Sequence, residues 1–347
     1  MVNIGFALSV GSTIPWATKL AFAEEVEKLG YDSFWLPHFI ARDVHAFDTL
    51  DSHCAIAART SRIKLGTGVF QIPLCQPVDL ARRVVTLDHV SNGRFIFGIG
   101  TGFVPAEYEM QGVPFENRGK RADEMLEVLK KLWTEDEVVF KGEYYTVKGF
   151  PRDTYCLEPK PIQKPHPPLL WGGGFWRPEK RWHEEAGIRS GWSQRILRRI
   201  AKYCDGWAPD LDSVDGDILA EGMVRIKELA KKEFGRTITD DKFDISANSY
   251  ASINIDNDPK RALEEAKRFY ATRERKGFYL VQGNPPFELL QQRGCFGPAD
   301  QVAERISPWL SWDKKVPALK RVYIMFASLD PIEQLRRFHA QVAPLLK

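Results

Sequence analysis

The chain has 347 residues, of which 44% are hydrophobic and 27% charged, so it is long enough for one large core or two smaller domains. Its 49 basic and 46 acidic side chains leave a net charge of +3, and no apolar run approaches the roughly 18 residues of a membrane span. These values argue against nucleic acid or a membrane as a partner.

The cysteines predict a reducing cellular compartment. There are five of them, far apart in the chain and without the spacing of metal ligands. The sequence starts Met-Val-Asn-Ile-Gly-Phe, which lacks a basic leader and a cleavage pattern. We therefore expect a cytoplasmic protein.

Short apolar runs alternate with helical patterns along the chain. The runs predict strands at 4–9, 32–36, 63–70, 94–99, 168–174, 205–209, 243–253 and 321–327. The patterns between them predict helices at 17–29, 48–59, 77–89, 117–133, 217–233, 259–272 and 331–345. Such alternation predicts a parallel sheet, and eight units in this length predict a single closed (β/α)8 TIM barrel, one domain over residues 1–347.

Three segments do not fit the repeating unit. Alternation at period two predicts a hairpin at about 137–149, and a further insertion is expected at about 273–297. Residues 175–192 are rich in tryptophan and arginine and show no sustained period. A loop of this length predicts a mobile lid at the barrel mouth; the alternative is aromatic packing on the barrel.

Glycine-rich turns follow three of the predicted strands, at the end of a TIM barrel where chemistry takes place. One of them, Gly98-Ile-Gly-Thr-Gly102, resembles a dinucleotide-binding turn. That motif needs a third glycine where Phe103 stands, and Pro105 predicts a longer loop instead of a helix. The turns therefore favour a large flat or phosphorylated ligand of another kind.

Several motifs, taken together, resemble the bacterial luciferase-like family of reduced-FMN monooxygenases and coenzyme F420-dependent enzymes. They are "TSRIKLGTGV", "LDHVSNGRFIFGIGTGF", "AEYEMQGVPFENRGKRADEMLEVLKKLW", "KPHPPLLWGGG" and "DGWAP", and the likeness resumes at "GCFGPADQVAERI". The resemblance implies an oxidoreductase on a barrel whose mouth holds the flavin.

The resemblance also implies roles for individual residues. His38 matches the active-site histidine after the second strand, and Gly68–Val69 matches a non-proline cis peptide that props the cofactor ring. Ser193 is expected to cap a helix whose amides meet the cofactor phosphate. The remaining cofactor-binding residues are expected to be Gly100, Thr101, Gly102, Gly172, Gly173 and Gly174. The expected substrate contacts are Trp16, Phe39, Phe70 and Trp176.

The choice of cofactor rests on two departures from the deazaflavin pattern. Pro37 stands where deazaflavin members often have Asp, and Ala106-Glu107 replaces Asn-Glu. We therefore expect FMN, reduced by a separate flavin reductase, and a monooxygenase acting on a small organic substrate as a homodimer or higher homo-oligomer. Hydride transfer with F420 and a non-catalytic flavin-binding accessory protein are the alternatives.

The other titratable residues point to no second chemistry. No metal-ligand pattern of histidines occurs, which disfavours a metal-dependent hydrolase. His53 and His89 fall within predicted helices and are expected to be structural, whereas His45 is expected in a loop. Glu107 and Glu109 are expected to be polar loop residues without a catalytic role.

Overall fold

The computed structural model describes residues 2–8, 14–40, 47–148, 157–176, 191–211, 213–274, 287, 291 and 294–346. Fourteen strands are seen in these ranges. They are β1 Asn3–Ala7, β2 Ser33–Leu36, β3 Lys64–Thr67, β4 Phe70–Gln71, β5 Phe95–Gly100, β6 Phe140–Lys141, β7 Thr146–Val147, β8 Leu169–Gly172, β9 Phe175–Trp176, β10 Gly191–Trp192, β11 Gly206–Ala208, β12 Asp244–Ile255, β13 Cys295–Gly297 and β14 Leu319–Phe326.

Eight of these strands close into a parallel barrel, in the order β1, β2, β3, β5, β8, β11, β12 and β14. Closure comes from β14, which pairs in parallel with β1, with Asn3 opposite Arg321. β4 and β13 extend the sheet beside β5 and β12. The predicted (β/α)8 barrel is therefore confirmed.

Helices cover the outside of the barrel and mostly alternate with its strands. They are α1 Trp16–Lys28, α2 Thr49–Ala57, α3 Pro77–Val90, α4 Pro105–Met110, α5 Arg118–Thr134, α6 Gln194–Tyr203, α7 Gly216–Phe234, α8 Pro259–Glu274, α9 Ala299–Ser311 and α10 Pro331–Arg337. Proline stands at the first position of several of them, where its missing N–H costs no helical hydrogen bond.

Large side chains fill the barrel interior. The Trp35 and Tyr323 rings stack with centroids 4.2 Å apart and an interplanar angle of 5°. A Cβ on Gly66 would lie 2.2 Å from the Trp35 ring, so this position has room only for glycine. Such packing makes the barrel a solid support for the loops at its ends.

The amino-terminal end of the barrel is closed by a buried ion-pair network. Arg321, only 2% exposed, donates from Nε to Asp32 Oδ2 at 2.8 Å and from Nη1 to Asp244 Oδ2 at 2.6 Å. Ser246 Oγ accepts a further bond of 2.7 Å from Nη1. Burial alone would lower the pKa of Arg321, but the two carboxylates raise it. The guanidinium therefore stays charged and paired with both carboxylates.

The structure differs from the sequence-based expectation after β5. Pro105 begins the short helix α4, where a longer loop was predicted. The prediction was wrong because proline is unfavourable inside a helix but well suited to its first turn.

The three predicted additions have different outcomes. β6 and β7 pair antiparallel at the predicted hairpin. β9 and β10 form an antiparallel pair at the two ends of the predicted lid, whereas residues 177–190 lie outside the described residues, and the lid stays a prediction. Most of the predicted insertion at about 273–297 is also outside them. Its last residues, Cys295–Gly297, belong to the sheet as β13.

Candidate active site

The carboxyl ends of β2, β3 and β5 bring the central residues of the site together. His38 follows β2, and its backbone N–H donates to Val69 O at 3.3 Å. The Gly68–Val69 peptide is cis, as the resemblance implied. Gln71, at the end of β4, donates from its backbone N–H to His38 Nδ1 at 3.3 Å. The histidine is therefore held by main-chain groups of the neighbouring strand segment.

These contacts fix the tautomer of His38. Because the Gln71 N–H can only donate, Nδ1 is an acceptor, and the neutral ring carries its proton on Nε2. The ring stacks on Phe70 with centroids 3.8 Å apart. Burial lowers the pKa of His38 to about 4, with Asp48 acting to raise it and Arg83 to lower it. His38 is thus a neutral Nε2–H donor at physiological pH.

An ion pair lies beside this histidine. Asp48 caps α2 by accepting from Leu50 N at 2.9 Å and Asp51 N at 3.0 Å, and it binds Arg83 Nη2 at 2.5 Å. Burial alone would raise the pKa of Asp48, but the Asp51 amide and the Arg83 guanidinium hold it below its ordinary value. His38 therefore has one negative neighbour, Asp48, and one positive neighbour, Arg83.

Val69 explains two of the predicted glycines. A Cβ on Gly100 would lie 2.8 Å from Val69 Cγ2, and a Cβ on Gly172 would lie 2.9 Å from Val69 Cγ1. These glycines therefore make room for the half-buried valine, and their contact with a cofactor stays a prediction. Neither has a positive φ.

The other glycines of the mouth have a conformational role. Gly102, Gly173 and Gly174 have φ of 74°, 79° and 118°, which side-chain-bearing residues rarely adopt. Thr101, which Gly102 follows, is half-buried, and its carbonyl accepts a hydrogen bond from the buried Tyr108 hydroxyl of α4. Backbone turns therefore shape both loops, and the Tyr108 hydroxyl holds the loop after β5 on α4.

Ser193 joins the loop after β8 to α6. It occupies the N-cap position, and its N–H donates to Gly174 O at 2.9 Å. Its side chain makes no capping hydrogen bond, so the predicted side-chain cap is wrong. The hydroxyl thus does not satisfy the first amides of α6.

The four residues expected to contact substrate lie in different surroundings. Phe70 is fully buried beneath His38, so it supports the ring and does not line the open mouth. Trp16 is half-buried and packs 5.4 Å from the Phe47 ring. Phe39 is half-buried in the segment after His38, and Trp176 lies 3.3 Å from the position of a Cβ on Gly173.

Two polar residues of the site were missed from the sequence. Gln71 is 4% exposed, and its Nε2 donates to His38 O and to Glu107 Oε2, each at 3.1 Å. Glu107 is 1% exposed, and its Oε1 accepts from Ile40 N at 3.3 Å. Glu107 was expected as a loop residue because α4 was not recognised. Gln71 stands out in the sequence as a polar residue within an apolar run.

Two other histidines, His53 and His89, contact main-chain carbonyl groups. His53 Nε2 contacts Gly66 O at 3.0 Å, and His89 Nε2 contacts Lys160 O at 2.9 Å. His45 lies outside the described residues. Within the part of the chain that the structure describes, no group of three His, Cys, Asp or Glu side chains is arranged to hold a metal ion. None of the described helices is long and apolar enough to cross a membrane.

Comparison with known proteins gives a match to one protein family. The sequence profile described as luciferase-like monooxygenase matches residues 3–310. An uncharacterised protein of Mycobacterium tuberculosis is 34% identical over 176 residues, which are 51% of this chain and 54% of that protein. The match therefore spans about half the length of this curated relative.

Solved structures share the architecture. An F420-dependent secondary alcohol dehydrogenase, in complex with an F420–acetone adduct, has a TM-score of 0.73 at 18% identity and covers 100% of both chains. The oxygenating constituent of 3,6-diketocamphane monooxygenase from Pseudomonas putida, in complex with FMN, has a TM-score of 0.69 at 17% identity and covers 99% of both chains. At these identities the likeness shows a common fold.

Proposed function

Because the chain belongs to the luciferase-like monooxygenase family, we propose that it is a monooxygenase that uses reduced FMN and oxygen on a small organic substrate. The observation that carries this proposal is His38, held as a neutral Nε2–H donor beside the cis Gly68–Val69 peptide. This placement puts a hydrogen-bond donor beside the half-buried apolar side chain of Val69.

The residues present fit a flavin. Val69 offers a half-buried apolar surface for a flat ring, and the turns at Gly102 and Gly173–Gly174 carry no side chains of their own. Thr101 and Ser193 would meet the ribityl and phosphate end, with the first amides of α6. When bound, reduced FMN supplies the electrons that activate oxygen.

The chain itself supplies a hydrogen-bond donor at a defined atom. His38 Nε2 carries the proton because Nδ1 is engaged by the Gln71 N–H. Its low pKa keeps the ring neutral, so Nε2–H donates a hydrogen bond that stabilises negative charge developing on an acceptor, and the ring gains no proton while Nδ1 accepts from Gln71. Phe70 beneath the ring keeps water away from that face.

FMN is favoured over F420 by Pro37 and Ala106, which replace residues common in the deazaflavin enzymes. One observation favours the alternative of F420-dependent hydride transfer. Glu107, the acidic half of the deazaflavin pair, is retained, buried and bonded through Gln71 to the His38 segment. A separate flavin reductase, a homo-oligomer and a cytoplasmic location are part of the proposal, and a non-catalytic flavin-binding role is the remaining alternative.

Anaerobic titration of the purified chain with FMN, reduced FMN and F420, followed by absorbance and calorimetry, tests the cofactor. We expect reduced FMN to bind at least about tenfold more tightly than F420, a difference of about 1.4 kcal/mol. Tight binding of F420 with negligible binding of either FMN form would reverse the assignment. Tight binding of reduced FMN without oxidation of any organic substrate would favour the accessory role.

A further inference from the structure

Gln71 contacts His38 and Glu107 through two separate groups. Its backbone N–H donates to His38 Nδ1 at 3.3 Å, while its side-chain Nε2 donates to His38 O and Glu107 Oε2, each at 3.1 Å. His38 follows β2 and Glu107 belongs to α4. One amide therefore joins two elements that are distant in sequence.

The orientation of this amide is determined by its partners. His38 O can only accept, and a carboxylate at Glu107 accepts as well, so the amide nitrogen must face both. Oε1 then points away, and it is buried without a hydrogen-bond partner within the described part of the chain. Such an unsatisfied oxygen costs about 1–3 kcal/mol and calls for an explanation.

The unsatisfied oxygen lies against the loop after β5. A Cβ on Gly102 would be 1.9 Å from Gln71 Oε1 and 2.7 Å from its Cδ. Gly102 is thus required by Gln71 as well as by its own φ of 74°. The amide is wedged between His38 and the loop proposed to hold the cofactor.

We propose that Gln71 is a positioning residue that fixes His38 as an Nε2–H donor and sets the distance between this histidine and the Gly100–Gly102 loop. The use of this placement in catalysis rests on the proposed function. The placement itself exists without any ligand, so it is testable in the free protein.

The charges around His38 give the direction of the expected effect. Asp48 acts to raise the pKa of His38 and Arg83 to lower it, and Glu107 faces it through the amide. The Gln71 N–H bond to Nδ1 favours the neutral ring, because Nδ1 cannot accept once it is protonated. Loosening of that bond should therefore raise the pKa of His38.

The decisive variant is Gln71→Met, which keeps the length of the side chain and removes its two donor bonds. With ¹⁵N-labelled histidine, NMR titration of the ligand-free protein should show the pKa of His38 raised by about one unit or more, a tenfold change in protonation. The signature of the Nε2–H tautomer should weaken as well. Gln71→Glu loses both donors when it is ionised and adds a negative charge that itself raises the pKa of His38, so its shift should be at least as large as that of Gln71→Met.

Gln334→Met is the matched control. Gln334 is 1% exposed, and its amide likewise bridges other groups, with Oε1 accepting from Ile255 N at 2.7 Å. It belongs to α10, away from His38. This variant should lower the melting temperature to a similar extent while leaving the titration of His38 unchanged.

A second approach applies if Gln71→Met does not fold. Gly102→Ala places a methyl group against Oε1 and should shift the His38 pKa in the same direction. The inference is wrong if every folded variant at positions 71 and 102 leaves the pKa of His38 within about 0.3 unit of the wild type, as the Gln334 control does. A shift of His38 in a protein that binds no flavin would support the positioning role and refute the proposed function.

Discussion

The two ends of the barrel satisfy their polar groups in different ways. At the amino-terminal end, Arg321 pairs with two carboxylates and a serine hydroxyl. At the mouth, His38 is buried and neutral, and Gln71 Oε1 has no partner among the described groups. Paired buried charges mark the end that holds the fold together, and a buried oxygen without a described partner marks the end that we propose to be functional.

A second arginine reinforces the closed end. Arg94, just before β5, donates five hydrogen bonds of 2.7–3.1 Å through its guanidinium. The acceptors are Ser91 O, Thr60 Oγ1, Ile63 O, Ala57 O and Thr60 O. At the mouth, the Asp48–Arg83 ion pair is present as well, but the amide of Gln71 keeps a buried oxygen without a partner among the described groups. The contrast predicts that substitutions at the mouth will mainly lower activity, whereas substitutions at the amino-terminal end will mainly lower stability.

The largest effect is expected at the mouth. His38→Ala removes the Nε2–H donor and should lower turnover by about 10²–10³, as loss of a hydrogen-bond donor to developing negative charge does, while flavin affinity changes by no more than several-fold. Steady-state kinetics with any substrate that the wild type oxidises measures this. His89→Ala, which alters only a contact with Lys160 O, is the control. Unchanged turnover in His38→Ala would show that this histidine is structural.

The next largest effect is expected at the closed end. Arg321→Met leaves the Asp32 and Asp244 carboxylates without their buried partner and should lower the free energy of unfolding by about 3–5 kcal/mol. Urea unfolding measures the loss. The affinity of the folded fraction for flavin should not change. A loss below about 1 kcal/mol would contradict the view that this network holds the barrel closed.

Buried neutral histidines should make the protein acid-sensitive. Burial lowers the pKa of both His38 and His53 to about 4. Between about pH 6.5 and 4 the unfolded chain therefore binds protons that the folded chain does not, and stability falls as the pH falls, by up to about 1.4 kcal/mol per pH unit for each histidine.

His53→Gln isolates one of these contributions. It retains a donor for Gly66 O but cannot titrate. Urea unfolding from pH 7 to pH 4.5 should show a smaller loss of stability in this variant. Near pH 5 the free energy of unfolding should fall less steeply with pH, by the amount that corresponds to one proton fewer taken up on unfolding. Identical pH profiles for the variant and the wild type would mean that His53 is protonated in the folded protein.

The smallest effect is expected at Ser193. Because its side chain caps nothing, Ser193→Ala should change the free energy of unfolding by less than about 0.5 kcal/mol. Asp215 is the matched comparison, since its carboxylate accepts from Asp217 N at 3.1 Å and Ile218 N at 3.0 Å. Asp215→Ala should cost about 1 kcal/mol. Weaker flavin binding by Ser193→Ala, without loss of stability, would assign its hydroxyl to the ligand.

The sequence predicts the barrel well because its signal is periodic. The alternation of apolar runs and helical patterns located all eight barrel strands, and the order of the glycine-rich motifs located the mouth. The ends of elements were harder to predict. Pro105 predicts a loop because proline is unfavourable inside a helix, but the same residue is favourable at the first position of α4.

The site was predicted only where a motif marks it. His38 and the Gly68–Val69 peptide have local signatures, and both lie at the mouth. Gln71 and Glu107 are 36 residues apart in the chain and meet only through the fold. The packing of Val69 against Gly100 and Gly172 could not be predicted either, because this valine lies at the end of a different strand.

The pairing of β1 with β14 has a consequence for synthesis on the ribosome. The barrel cannot close until Arg321, which pairs with Asn3, has been synthesised. At translation rates of about 5–20 residues per second, the interval between the synthesis of these two residues is roughly 16–64 s. During that time one edge of the β1–β2 sheet lacks its final neighbour and is open to pairing with other chains. The nascent protein therefore passes through a period in which association with a chaperone would protect it most.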